Sequence, residues 1–141
     1  TEPRQGPTAT IVLTFDKPIA GLTVTITEGV ATAGARTFAG NDVVVPLTGV
    51  SNQQYVTVSL TNVDSLDGGT GGSGSVRIGC LAGDVSQNRV VTVSDLAQVN
   101  AQIAQVVGQG NYLKDVNASG TQTVADKAIA NTQITRALPT P

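Results

Sequence analysis

The sequence predicts a mixed fold, β then α. An antiparallel β-sandwich over residues 1–80, entered by an extended N-terminal arm, precedes a small helical module over residues 81–141. Three patterns predict it. Short segments between residues 9 and 80 alternate apolar and polar residues, the period of half-buried strands. Residues 84–95 (DVSQNRVVTVSD) and 115–126 (DVNASGTQTVAD) repeat one pattern. Each repeat then runs into apolar residues spaced by three and four, the period of a helix.

Residues 1–7 (TEPRQGP) are polar and proline-bearing, which favours extended backbone. In residues 9–15, Ala9, Ile11, Leu13 and Phe15 alternate with Thr10, Val12 and Thr14. Leu22, Val24 and Ile26 alternate with Thr23, Thr25 and Thr27, and a poorer run covers residues 37–39. Residues 42–48 (DVVVPLT) form the next strand, which Pro46 should weaken or place at a sheet edge, because proline cannot donate to a ladder. Val56, Val58 and Leu60 alternate with Thr57, Ser59 and Thr61; Val76, Ile78 and Cys80 close the series. Gly, Asn and Asp punctuate the gaps, as in an antiparallel sandwich.

Residues 68–74 (GGTGGSG) read as a long surface loop before the last strand, or else as a hinge between domains. Cys80 is the only cysteine, so there is no internal disulfide. Its phase with Val76 and Ile78 directs it inward, and an intermolecular disulfide stays open.

The repeated pattern places Asp at positions 1 and 12, short oxygen-bearing side chains at 3 and 5, and Thr at 9. This is the oxygen spacing of an EF-hand-type calcium loop, which wraps a hard cation with alternate residues aimed inward. In the first loop the donors would be Asp84, Ser86, Asn88, the carbonyl of Val90, Thr92 with a water, and Asp95. In the second they would be Asp115, Asn117, Ser119, the carbonyl of Thr121, Thr123 with a water, and Asp126. Two Ca2+ sites are expected, with 115–126 the better one. Gly120 stands at its sixth position, where a positive φ is needed, and Arg89 stands there in the first loop. The same residues would also serve as Asx turns and helix caps without a metal. Asn117, Ala118 and Ser119 spell a glycosylation sequon, discounted because Asn117 and Ser119 are candidate donors.

After the first loop, Leu96, Val99, Ile103 and Val106 predict a helix stopping near Gly108 and Gly110. After the second, Ala130, Ile134, Ala137 and Leu138 form a comparable stripe ended by Pro139. Neither loop is preceded by an entering helix of similar length.

Composition narrows the function. The 141 residues hold 8 basic and 10 acidic side chains, net −2, with no basic cluster to neutralise phosphates, so no nucleic-acid partner is expected. No apolar run is long enough for a membrane span. There is no His, and Cys80 has no base partner in the sequence pattern, so no enzyme is expected. Asp64 and Asp67 form a close carboxylate pair that turn chemistry explains better than glycoside hydrolysis. A sugar-binding platform would need exposed aromatics, whereas Phe15, Phe38, Tyr55 and Tyr112 are scattered and Trp is absent. Tyr112, beside Leu113, is expected to anchor the second unit against the first helix. The sequence opens at Thr1 and contains no Met, which reads as an exported chain whose signal peptide has been removed, extracellular or on the cell surface. With two carboxylates per loop, calcium affinity should lie in the weak, extracellular range, roughly 10⁻⁵–10⁻³ M.

Residues 15–18 (FDKP) after the first strand resemble a motif of bacterial immunoglobulin-like domains; the resemblance covers residues 8–80 and implies an immunoglobulin-like β-sandwich there, within the domain 1–80 that includes the arm. The stretches GDVSQNRVVTVSD and KDVNASGTQTVAD resemble the dockerin family, type I, over about residues 81–141. That resemblance implies a dockerin-like paired loop-helix module, two calcium sites, metal-dependent folding and a cohesin partner. Arg89 and Gln122 depart from the family's usual Gly and aliphatic residue, and the interval between repeats is long. The family's partner-reading pairs fall on Val93-Ser94 and Val124-Ala125, which are not matched polar pairs.

Two functional classes follow. One is a non-enzymatic, calcium-binding structural protein that assembles with copies of itself into a filament, tube or surface layer. Its strands present Thr, Ser and Val outward with little charge to guard the edges, and its arm could add to a neighbour's sheet. The other is a C-terminal anchoring module of a larger secreted bacterial protein that docks onto a cohesin.

Overall fold

The alternating residues do form strands in the computed structural model, which describes residues 1–140. The described residues fold as strands first and helices second. The strands are β1 (Thr8–Thr14), β2 (Ile19–Glu28), β3 (Thr32–Ala33), β4 (Thr37–Ala39), β5 (Asp42–Thr48), β6 (Gln54–Ser65) and β7 (Gly72–Cys80). Then come α1 (Val93–Asn100), a short 3₁₀ turn (Tyr112–Lys114) and α2 (Val124–Gln133). Strands β1, β3 and β4 pair antiparallel with β5, and β2-β6-β7 form a second sheet. The short β3 was not expected from sequence; two residues carry no readable period.

The chain divides into two compact units, one of Pro7–Ser51 with Val56–Arg77, the other of Thr1–Gly6, Asn52–Tyr55 and Ile78–Pro141. Residues 1–6, read in the sequence as an arm of the strand domain, thus group with the loops and helices.

In the strand unit, Val43, Val45 and Leu47 occupy one face of β5, Val56, Val58 and Leu60 one face of β6, and all six are buried. Each contributes about 1.5–3 kcal/mol through burial. Pro46 stands in the centre of its sheet and not at an edge. On one side it is paired with Thr10 in β1; on the other its carbonyl accepts from Gly34 N at 2.8 Å, in the gap between β3 and β4. In antiparallel pairing the N–H and C=O of one residue face the same neighbour. The missing N–H therefore faces Gly34 in the gap between β3 and β4, and the continuous pairing with β1 is untouched. Residues 68–74 divide between a turn and β7: Ser65 N donates to Gly69 O and Gly68 N to Ser65 O, which closes a hairpin from β6 to β7. Cys80 is a half-buried free thiol whose burial pushes its pKa up.

In the loop unit, both helices stop before the apolar stripes end. Helix α1 closes at Asn100, and Val106 is 89% exposed instead of lying on a buried face. Helix α2 closes at Gln133, before Ile134, Ala137 and Leu138. The cause is the same in both. Ala104 (φ 66°) and Thr135 (φ 77°) turn the chain out of the helix, and their N–H groups donate to Gln122 O and Val91 O, both at 2.9 Å. The tail after α1 then bridges the second loop at Val106–Thr121, and the tail after α2 bridges the first at Val90–Ala137. Each helix tail ties down the other repeat. Beneath them, Val85 and Val116 of the two loops pack with Val99 and Ala130 of the two helices.

Candidate metal centre

The two loops have the same construction. Asp84 and Asp115 accept from backbone N–H groups at the fifth and sixth loop positions: Asn88 (3.0 Å) and Arg89 (2.9 Å) in one, Ser119 (3.0 Å) and Gly120 (2.8 Å) in the other. Asp95 and Asp126 accept from the third position, Ser86 N (2.9 Å) and Asn117 N (3.1 Å). They also accept from the N–H and hydroxyl of Thr92 and of Thr123. These threonines are the N-caps of α1 and α2, and with Asp95 and Asp126 they complete capping boxes. One carboxylate thus caps its helix and closes its loop.

The bonds draw the candidate donors together. Ser86 joins both acids of its loop, its N–H on Asp95 Oδ1 and its hydroxyl 3.4 Å from Asp84 Oδ1. Asn88 Oδ1 accepts from Val90 N. In the second loop, Ser119 N is shared between Asp115 Oδ1 and Asn117 Oδ1, and the Ser119 hydroxyl meets the carbonyl and hydroxyl of Thr121 at 3.1 Å. The four carboxylates are 0–4% exposed, whereas Ser86, Asn88, Ser119 and Thr121 are exposed. Each loop is therefore a cup, acidic at its base and lined by neutral oxygens towards solvent.

No ion pair among the described residues compensates the charges, although the Arg4 cation acts on Asp115 from a distance. Among the described residues, ion pairs join Glu2 to Arg4, Asp67 to Lys17 and Glu28 to Arg77, and none involves a loop aspartate. A buried ion costs several kcal/mol in lost hydration. Backbone dipoles offset part of it: burial pushes the Asp95 carboxyl up, but the bonds from Ser86 and Thr92 outweigh burial and hold it below its ordinary value. A carboxylate offers about four acceptor sites, so these bonds leave capacity for a cation. No cluster of three acidic, imidazole or thiol groups occurs among the described residues. Each cup has instead two carboxylates with hydroxyl, amide and carbonyl oxygens, a donor set suited to calcium and unsuited to softer metals.

Some contributors were not named from sequence. Gln87 (φ 61°) and Ala118 (φ 54°), at the fourth position of each loop, take the left-handed backbone that turns the following N–H groups onto Asp84 and Asp115. Neither residue type signals it. Gln122, where Val91 stands in the first repeat, is buried, and its Nε2 donates to Asn111 O at 2.8 Å. Tyr112 is 43% exposed and carries the Arg4 guanidinium over its ring at 5.6 Å; its observed partner is the N-terminal segment. Asp64 accepts from Gly71 N, and Asp67 from Ser65 and Lys17, so both serve the β6–β7 turn. Comparison with family models, with curated proteins and with solved structures returned no match.

Proposed function

We propose that the chain is a non-enzymatic, extracellular calcium-binding structural protein that assembles with copies of itself. The observation that carries the calcium reading is the matched set of four buried aspartates held only by neutral donors. Asp84, Ser86, Asn88, Val90, Thr92 and Asp95 would hold one ion, and Asp115, Asn117, Ser119, Thr121, Thr123 and Asp126 a second. Bound calcium would supply charge neutralisation and lock the loop closed. Two carboxylates per site make for weak binding, which suits the millimolar calcium outside cells.

Self-assembly draws support from the edge strand β1 (TATIVLT), which carries no charge and exposes Val12 at 56%. Such an edge is a template for pairing with another chain. The immunoglobulin-like and dockerin-like readings belong to this proposal, as the closest sense of two sheets followed by a duplicated loop-helix unit.

Light scattering tests it. In about 1 mM calcium particles far larger than one chain are expected, and chelation should shrink them. A monomer under both conditions removes the assembly reading. The second reading, docking onto a cohesin, has one observation in its favour. Val93 and Val124, the first residues of α1 and α2, are each 71% exposed and so form a repeated apolar pair on the surface.

A further inference from the structure

Residues Thr1–Gly6 lie along the loop unit as an added strand. Glu2 bridges Cys80 in parallel: its N–H donates to Gly79 O at 2.7 Å and its carbonyl accepts from Leu81 N at 3.1 Å. The carbonyl of Pro3 accepts from Gly83 N at 2.8 Å, beside Asp84, and Gln5 N donates to Val116 O, beside Asp115. Gln87 of the first loop donates to the Thr1 carbonyl, and Arg4 sits over Tyr112 at the entry to the second. Pro3 is buried, while residues 4–7 are exposed. The seat is therefore made by the flanks of both aspartate loops, and most of its bonds are to backbone.

Such a seat does not care which copy supplies the strand. The six residues make these bonds within the loop unit, then leave it through exposed Gly6 and Pro7 into β1 of the strand unit. Proline at position 3 and the Glu2–Arg4 pair (2.7 Å) hold the segment extended before it docks, so little ordering entropy opposes docking. Exchange between copies would alter only the path of a short exposed joint, the low-cost route by which identical elements swap. We infer that the groove formed by residues 79–83, 87, 112 and 116 is a strand-acceptor site, and that its occupant in the assembled state is the Thr1–Gly6 segment of a second copy. This deepens the self-assembly reading and rests on it.

The Glu2–Cys80 bridge supplies the test, because a cysteine at position 2 faces the native thiol. A full chain carrying Glu2→Cys and Cys80→Ser is mixed with the unaltered chain, distinguishable by mass, under mild oxidation in calcium. The expected result is a covalent species of both chains, lost on reduction. A chain with Arg36→Cys and Cys80→Ser, its thiol on an exposed residue of the strand unit, should give far less. Equal yields from both would mean random thiol pairing and would overturn the inference. Glu2→Cys alone, with Cys80 kept, serves as the seating control. If it closes its own disulfide while no mixed species forms, the segment is an internal strap and the inference fails. If it closes none, the groove does not hold residue 2 against Cys80 and the inference fails as well. Light scattering on the same samples separates the two proposals. Large particles without mixed species retain assembly and remove strand exchange; mixed pairs without large particles do the reverse.

Discussion

At the scale of single residues, the sixth position of each loop shows what the backbone demands. Arg89 (φ 74°) and Gly120 (φ 82°) share a left-handed conformation because each must aim its N–H at the first aspartate of its loop. For a residue with a Cβ that conformation costs about 1–2 kcal/mol. Arg89→Gly should remove the cost, less what the freer unfolded chain gains, leaving a stabilisation of about 0.5–1 kcal/mol. Gly120→Ala should destabilise by about 1 kcal/mol, and for backbone reasons alone, since a Cβ there meets nothing within 4 Å. Chemical denaturation of the two variants checks the opposite signs. A gain from Gly120→Ala, or a loss from Arg89→Gly, would contradict the conformational account. Position 6 was legible in the sequence because glycine marks it in one repeat. Gln87 and Ala118 were not, because neither residue type announces a positive φ.

At the scale of elements, strand existence was legible from alternation. Its placement depended on partners that periodicity does not encode. Pro46 looked like an edge residue, yet it sits in a central strand because β3 and β4 leave a gap opposite it. The helices were legible in their starts, where Thr and Asp three residues apart cap α1 and α2. Their ends were misplaced. The apolar residues after Asn100 and Gln133 keep helical spacing, but the backbone bonds from Ala104 and Thr135 to the opposite loop win over continuation. An element-level pair also sets an acid response. Arg77 of β7, with help from Thr57 of β6, bonds the Glu28 carboxylate of β2 and holds it down to about 2. The group is ionised and paired above the ordinary Glu value near 4.3. Its contribution is thus complete at neutral pH and is lost as pH falls from about 4.3 toward 2. Glu28→Gln should lower the urea midpoint slightly at pH 7 and progressively less as pH falls through about 2, and salt should shrink the difference because the pair is exposed. A midpoint difference as large at pH 2 as at pH 7 would assign the effect to packing instead.

At the scale of the whole molecule, the duplicated loops form an interlocked unit, since each helix tail bonds the other repeat and Val85, Val99, Val116 and Ala130 share one small core. If the loops hold calcium as proposed, four carboxylates buried beside so few apolar side chains make that unit the part of the chain whose stability would depend most on the ion. The strand unit, with Val43, Val45, Leu47, Val56, Val58 and Leu60 buried in β5 and β6, holds its own core without any such charge. Under the calcium reading, an ion present at a hundredfold excess over its dissociation constant adds about 2.7 kcal/mol per site. Chelation should therefore act on the two units unequally. Hydrogen exchange followed residue by residue is expected to show the amides of Asn88, Arg89, Ser119, Gly120 and both helices losing protection when calcium is removed. Those bonded between β1 and β5, such as Ile11 with Val45, should keep theirs. Far-ultraviolet circular dichroism on the same samples should lose helix signal and retain strand signal. Identical exchange in both conditions would mean that backbone dipoles suffice to hold the four aspartates. The loops would then be capped turns closed by Thr92 and Thr123, with no metal in their cups.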